Sequence, residues 1–153
     1  QLITDDVLAL ALSGNEPLVF SSFPQLKLCP DALSAIGEKP EALPRVMPRV
    51  DKRQYRLPQN FSTQPVPLQS IYLLNRGESL SIAPIPASDS ILPLLAHSYG
   101  ARFGKKILHL GEANHFLQCT DLANKVGIYC LKRPSDISLL TNIVTLVVQH
   151  FDS

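Results

Sequence analysis

Phe23-Pro24-Gln25-Leu26-Lys27-Leu28-Cys29-Pro30-Asp31-Ala32-Leu33-Ser34-Ala35-Ile36-Gly37 holds a strand and a helix in one short stretch. Leu26 and Leu28 alternate with Gln25 and Lys27, so the leucines face a core and Lys27 faces the other side. Cys29-Pro30-Asp31 stops the strand. Pro30 to Gly37 then reads as a short helix, with Pro tolerated at its start and Gly37 placed to end it. Upstream, Leu2–Leu10 is apolar around Asp5-Asp6, and Ser13-Gly14-Asn15-Glu16-Pro17 separates it from Leu18-Val19-Phe20, which predicts two strands joined by a turn. Downstream, Ser70–Leu74 and Leu80–Ile85 flank Asn75-Arg76-Gly77-Glu78, a second pair of strands around a turn. Ser88 or Asp89 caps a helix through Ile91, Leu92, Leu94, Leu95 and Tyr99. Another helix spans Glu112 to Lys125, burying Phe116 and Ala123, and Gly127 ends it. Ile128–Leu131 is a short strand, and after Pro134 a last helix repeats Ile137, Leu140, Val144, Val147 and Phe151 at helical spacing. Strands in the first half and helices in the second predict an α/β (α+β) domain with a mixed or mostly antiparallel sheet and C-terminal helices.

Prolines concentrate between 38 and 69, at Pro40, Pro44, Pro48, Pro58, Pro65 and Pro67, together with Arg45, Arg49, Lys52, Arg53 and Arg56. Proline opposes long helices and central strands, so this stretch is expected to be a basic loop, the first place to look for an anionic partner.

The chain has 153 residues, and 14 Lys+Arg against 13 Asp+Glu leave a net charge of +1. Hydrophobic residues at 45% and charged residues at 18% fit a chain that buries a core and argue against disorder. The charge balance speaks against nucleic acid as a partner. No apolar run approaches the roughly 18 residues of a membrane span, so no membrane partner is expected. Gln1-Leu2-Ile3-Thr4-Asp5-Asp6 offers no basic start and no long apolar run of a secretory signal. Cys29, Cys119 and Cys130 lack a CxxC pair and read as buried thiols of a reducing compartment, which places the protein in the cytoplasm.

Asp5 and Asp6 follow an apolar strand, where a carboxylate can reach a metal or a substrate hydroxyl. Alternation sends neighbouring strand side chains to opposite faces, so one aims into a site and the other reaches it only if the strand bends. Two close carboxylates favour a general base. A strand-end turn accounts for the same pair equally well. Gly100-Ala101-Arg102-Phe103-Gly104-Lys105-Lys106 departs from the phosphate loop GxxxxGK[ST]: one residue is missing between the glycines, and Lys106 replaces the Ser/Thr. A helix rather than a strand precedes it. His97, His109, His115 and His150 lack metal-ligand spacing, and no GxSxG elbow supports a hydrolase.

The ordered set Thr4–Leu10, Phe23–Leu33, Val50-Asp51-Lys52-Arg53 and His97-Ser98-Tyr99 resembles the carboxy-terminal portion of HPr kinase-like serine kinases, relatives of the HPr kinase/phosphorylase catalytic domain. The resemblance covers nearly the whole chain. Some members are similar to kinases that phosphorylate a serine on ribosomally made peptides, lasso-peptide precursors among them.

The resemblance implies a fold of the HPr kinase and phosphoenolpyruvate carboxykinase type, ATP and Mg2+ as cofactors, and a small protein or peptide with a Ser acceptor as substrate. Asp5 and Asp6 match the family's acidic pair, one accepting the hydroxyl proton and the other supporting the metal. Lys27, Asp51, Lys52 and Arg53 match positions of the smaller group and are expected to contact phosphate or substrate. HPr kinases assemble into oligomers, which leaves a homo-oligomer open. In the family a phosphate loop precedes the Asp-Asp strand, so residues 1–153 are expected to be the C-terminal part of a catalytic domain, inactive without that loop. The alternative is a non-catalytic peptide-binding module on the same fold.

Overall fold

The computed structural model describes residues 1–98 and 111–152. It is a mixed α+β structure with three small sheets in place of the single expected sheet. The chain divides into two compact units, Gln1–Ala11 with Leu18–Val66 and Leu12–Pro17 with Pro67–Ser153.

In the first unit, β1 (Ala9–Ala11) pairs antiparallel with β2 (Leu18–Phe20), Leu10 opposite Val19. β2 lies between β1 and β6 (Val66–Pro67). The second sheet has the order β3-β5-β4, from β3 (Gln25–Leu28), β4 (Arg45–Met47) and β5 (Val50–Arg56). Leu26 lies opposite Tyr55 and Leu28 opposite Arg53 on one face, with Lys27 opposite Gln54 on the other.

Helix α1 (Pro30–Ala35) carries Pro30 in its first turn and buries Leu33 completely. Its end is a Schellman motif: Glu38 N–H donates to the Leu33 carbonyl at 3.0 Å and Gly37 N–H to that of Ser34 at 3.1 Å. Gly37 has φ +83°, a conformation that side chains oppose.

The expectation of a loop throughout 38–69 fails in the middle. Pro48 and Pro58 flank β5 but none interrupts Val50–Arg56, so every residue of that run keeps its amide and β5 takes the centre of its sheet.

In the second unit, β7 (Ser70–Arg76), β8 (Ser81–Pro84) and β9 (Gly127–Arg133) form a sheet of order β7-β9-β8. β7 and β8 therefore do not pair around their turn. β9 enters between them, parallel to β7 and antiparallel to β8. Its Ile128 and Leu131 are buried. Helix α2 (Ala87–His97) contributes buried Ser90 and Leu94. Helix α3 (Glu112–Lys125) and its cap bury Cys119, Leu122, Ala123 and Val126, a stripe at helical spacing. Phe116, expected inside, is 47% exposed. The segment Leu12–Pro17 belongs to this unit through two bonds: Lys125 Nζ donates to the Leu12 carbonyl at 2.9 Å, and Leu68 N–H to that of Pro17 at 2.8 Å.

Asp136 accepts the Ser138 N–H at 2.9 Å and starts a 3-10 turn that leads into α4 (Leu140–Phe151). The helix is apolar on more than one face, so periodicity alone does not choose the inner one. His150, on the inner face, bonds Tyr72 at 2.9 Å and packs edge-on against Tyr129. Leu140, Val144 and Phe151 of the expected stripe are exposed. No helix among the described residues is long and apolar enough to cross a membrane.

Candidate functional site

The acidic pair does not sit on a strand. Leu2 bridges to Phe61, donating to the Asn60 carbonyl at 2.7 Å and accepting from Ser62 N–H at 2.9 Å, and Ser22 N–H donates to the Ile3 carbonyl at 3.1 Å. These bonds fix the segment before the pair. Thr4 Oγ1 then donates to the Val7 carbonyl at 2.7 Å, and Val7 N–H donates to that of Asp5 at 2.8 Å, closing a γ-turn around Asp6. Asp6 has φ +64°, the one positive value outside glycine among the described residues. Asp is among the few side chains that tolerate this region.

The bend brings both carboxylates to one residue. Lys27 N–H donates to Asp5 Oδ2 at 2.8 Å, and Lys27 Nζ donates to Asp6 Oδ2 at 2.8 Å. The amide is open to Asp5 because β3 is an edge strand. With Lys27 33% and Asp6 38% exposed, water screens their ion pair, which is worth about 0–1 kcal/mol. Asp5 is half-buried, and its Oδ1 makes no hydrogen bond among the described residues.

Asp51-Lys52-Arg53 is split by the strand. Lys52 shares the face of Lys27, as do Gln25, Gln54 and Arg56. Asp51 and Arg53 occupy the other face. There Arg53, 9% exposed, donates through Nε to the Pro40 carbonyl at 3.0 Å and through Nη1 to Asp51 at 3.0 Å, while Arg45 approaches Asp51 at 3.9 Å. Arg53 and Asp51 thus brace the hairpin and Pro40. Sequence reading missed Arg56 as a face-mate of Lys27. Its signal was the period of two from Lys52, legible once Val50–Arg56 is taken as a strand.

Among the described residues no group of three or more His, Cys, Asp or Glu side chains could hold a metal ion. A cation at Asp5 and Asp6 would take two carboxylates and fill its remaining positions from water or ligand oxygens, the habit of Mg2+. Gly100–Lys106, Tyr99 and His109 lie outside the described residues. His97 is exposed in the last turn of α2, and His115 is half-buried in α3. Cys29 is exposed, not buried as expected, while burial raises the Cys119 thiol pKa.

No family model matches the chain, and no curated protein or solved structure does either.

Proposed function

We propose that this chain is the carboxy-terminal part of an ATP- and Mg2+-dependent serine kinase of the HPr kinase-like kind, acting in the cytoplasm on a Ser hydroxyl of a small protein or peptide. The motif order described above supports the family and its phosphoenolpyruvate carboxykinase-type fold. The observation that carries the activity is the γ-turn at Asp6, which brings two carboxylates to one residue, Asp5 to the Lys27 amide and Asp6 to its ammonium.

Phosphoryl transfer needs an acceptor for the hydroxyl proton and cations near the phosphoryl oxygens. Asp5 suits the role of proton acceptor, because Lys27 N–H fixes one oxygen and leaves Oδ1 to take the proton. Asp6 suits metal support, and the Lys27 ammonium beside it is a cation that would serve a phosphoryl oxygen. Lys52, on the same face, extends the positive surface along β5. Bound Mg2+ supplies charge neutralisation at the phosphates. Arg53 and Asp51 act as positioning residues.

The second reading, a peptide-binding module, draws on the Asp6–Lys27 pair itself, because Lys27 already pairs with Asp6 within the chain. The two readings part on nucleotide. For the protein translated from its full reading frame, the kinase reading expects saturable, Mg2+-dependent binding of a fluorescent ATP analogue, weakened at least fivefold by Asp6→Asn. Binding of a Ser peptide without any binding of ATP would leave the module reading in its place.

A further inference from the structure

Arg76 and Arg133 end β7 and β9, and the parallel register sets them opposite each other. In-register residues of neighbouring strands project from the same face, with strands about 4.8 Å apart. Gly77 N–H donates to the Arg133 carbonyl at 3.0 Å, which fixes the two strand ends together. Two arginine side chains thus leave the same face from neighbouring backbone positions, where like charges repel.

Nothing among the described residues compensates them. Arg133 Nη1 donates to the Pro134 carbonyl at 3.1 Å, and Arg76 forms neither a hydrogen bond nor an ion pair there. The nearest acids in sequence are Glu78 and Asp136. Neither pairs with them, and Asp136 is turned to Ser138 N–H at 2.9 Å. Lys132, opposite Asn75 and Ser81, points to the other face of the sheet.

We propose that Arg76 and Arg133 form a binding site for a terminal phosphate group. One bidentate arginine satisfies both oxygens of a carboxylate, whereas a phosphate has oxygens enough for two planar forks. The carboxyl end of parallel strands is also where α/β sheets take their ligands. The group could arrive as inorganic phosphate or as a phosphomonoester such as phosphoserine. The site stands apart from the kinase reading, because binding is measured without turnover.

Calorimetric titration of the full chain in phosphate-free buffer, with inorganic phosphate, O-phosphoserine and acetate at equal ionic strength, tests it. Saturable binding of phosphate but not acetate is expected, weakened at least fivefold by Arg76→Gln or Arg133→Gln and unchanged by Lys132→Gln. A tighter constant for O-phosphoserine assigns the site to the ester, and equal constants assign it to the bare phosphate group. Absence of saturable binding, or equal weakening by Lys132→Gln, overturns the proposal. If a glutamine variant fails to fold, Arg76→Lys keeps the charge and removes the fork. It should still weaken phosphate, and unchanged affinity in that variant overturns the site.

Discussion

Lys27 holds Asp6 with its ammonium at 2.8 Å across 21 residues of sequence, while its own backbone amide holds Asp5. One residue therefore fixes both carboxylates, and the turn between them makes this geometry attainable. Substitutions here separate chemistry from stability.

Because the Asp6–Lys27 pair is solvent-screened, Asp6→Asn should cost no more than about 1 kcal/mol in thermal or urea unfolding. Asn tolerates positive φ as Asp does. Asp6→Val should cost more, by about 1–3 kcal/mol, because a β-branched residue is strained at φ +64°. Equal losses for Asn and Val would mean that the γ-turn is not formed in solution.

Leu33 is fully buried beneath α1, so Leu33→Ala should destabilise by about 2–5 kcal/mol. At the end of the same helix, Gly37→Ala should cost about 1 kcal/mol from conformation alone, since an added Cβ meets nothing within 4 Å. Chemical denaturation measures both.

Arg53→Met keeps much of the side-chain volume but removes the donor to the Pro40 carbonyl. A loss of about 1–3 kcal/mol is expected. Lys52→Met, on the opposite face, should change stability by no more than about 0.5 kcal/mol.

Tyr55 donates its hydroxyl to Glu38 at 2.9 Å, and this bond, with burial and the nearby carboxylate charge, raises the phenol above its ordinary 10.0. A raised folded pKa gives stability that is present in full below pH 10 and lost as pH rises through the folded value. Absorbance titration should show the Tyr55 phenol ionising late, and Glu38→Gln should make it ionise earlier.

The legible parts of the fold were those with local chemistry. Pro30 and Gly37 bracket α1, Leu26 and Leu28 mark β3, and Glu112 to Lys125 is a helix in the structure as in the sequence. Pairing between distant segments was not legible: nothing local in Ile128–Leu131 says that it enters between β7 and β8. In the Pro-rich stretch, counting prolines hid the uninterrupted run Val50–Arg56. In the last helix, an apolar surface on several sides left Val144 and Phe151 as good candidates for the core as His150. At the site, Asp5, Asp6 and Lys27 could be named from sequence. The γ-turn that unites them could not, because it depends on Leu2 and Ile3 being held by residues 60–62 and 22.

Phosphoryl transfer itself is decided by following labelled phosphate from the γ-position of ATP onto a Ser peptide array, with Mg2+ and the protein translated from its full reading frame. Transfer to serine is expected, and Asp5→Asn should lower it by at least a hundredfold without loss of the folded state. Absence of transfer, or transfer undiminished in Asp5→Asn, would refute the kinase reading.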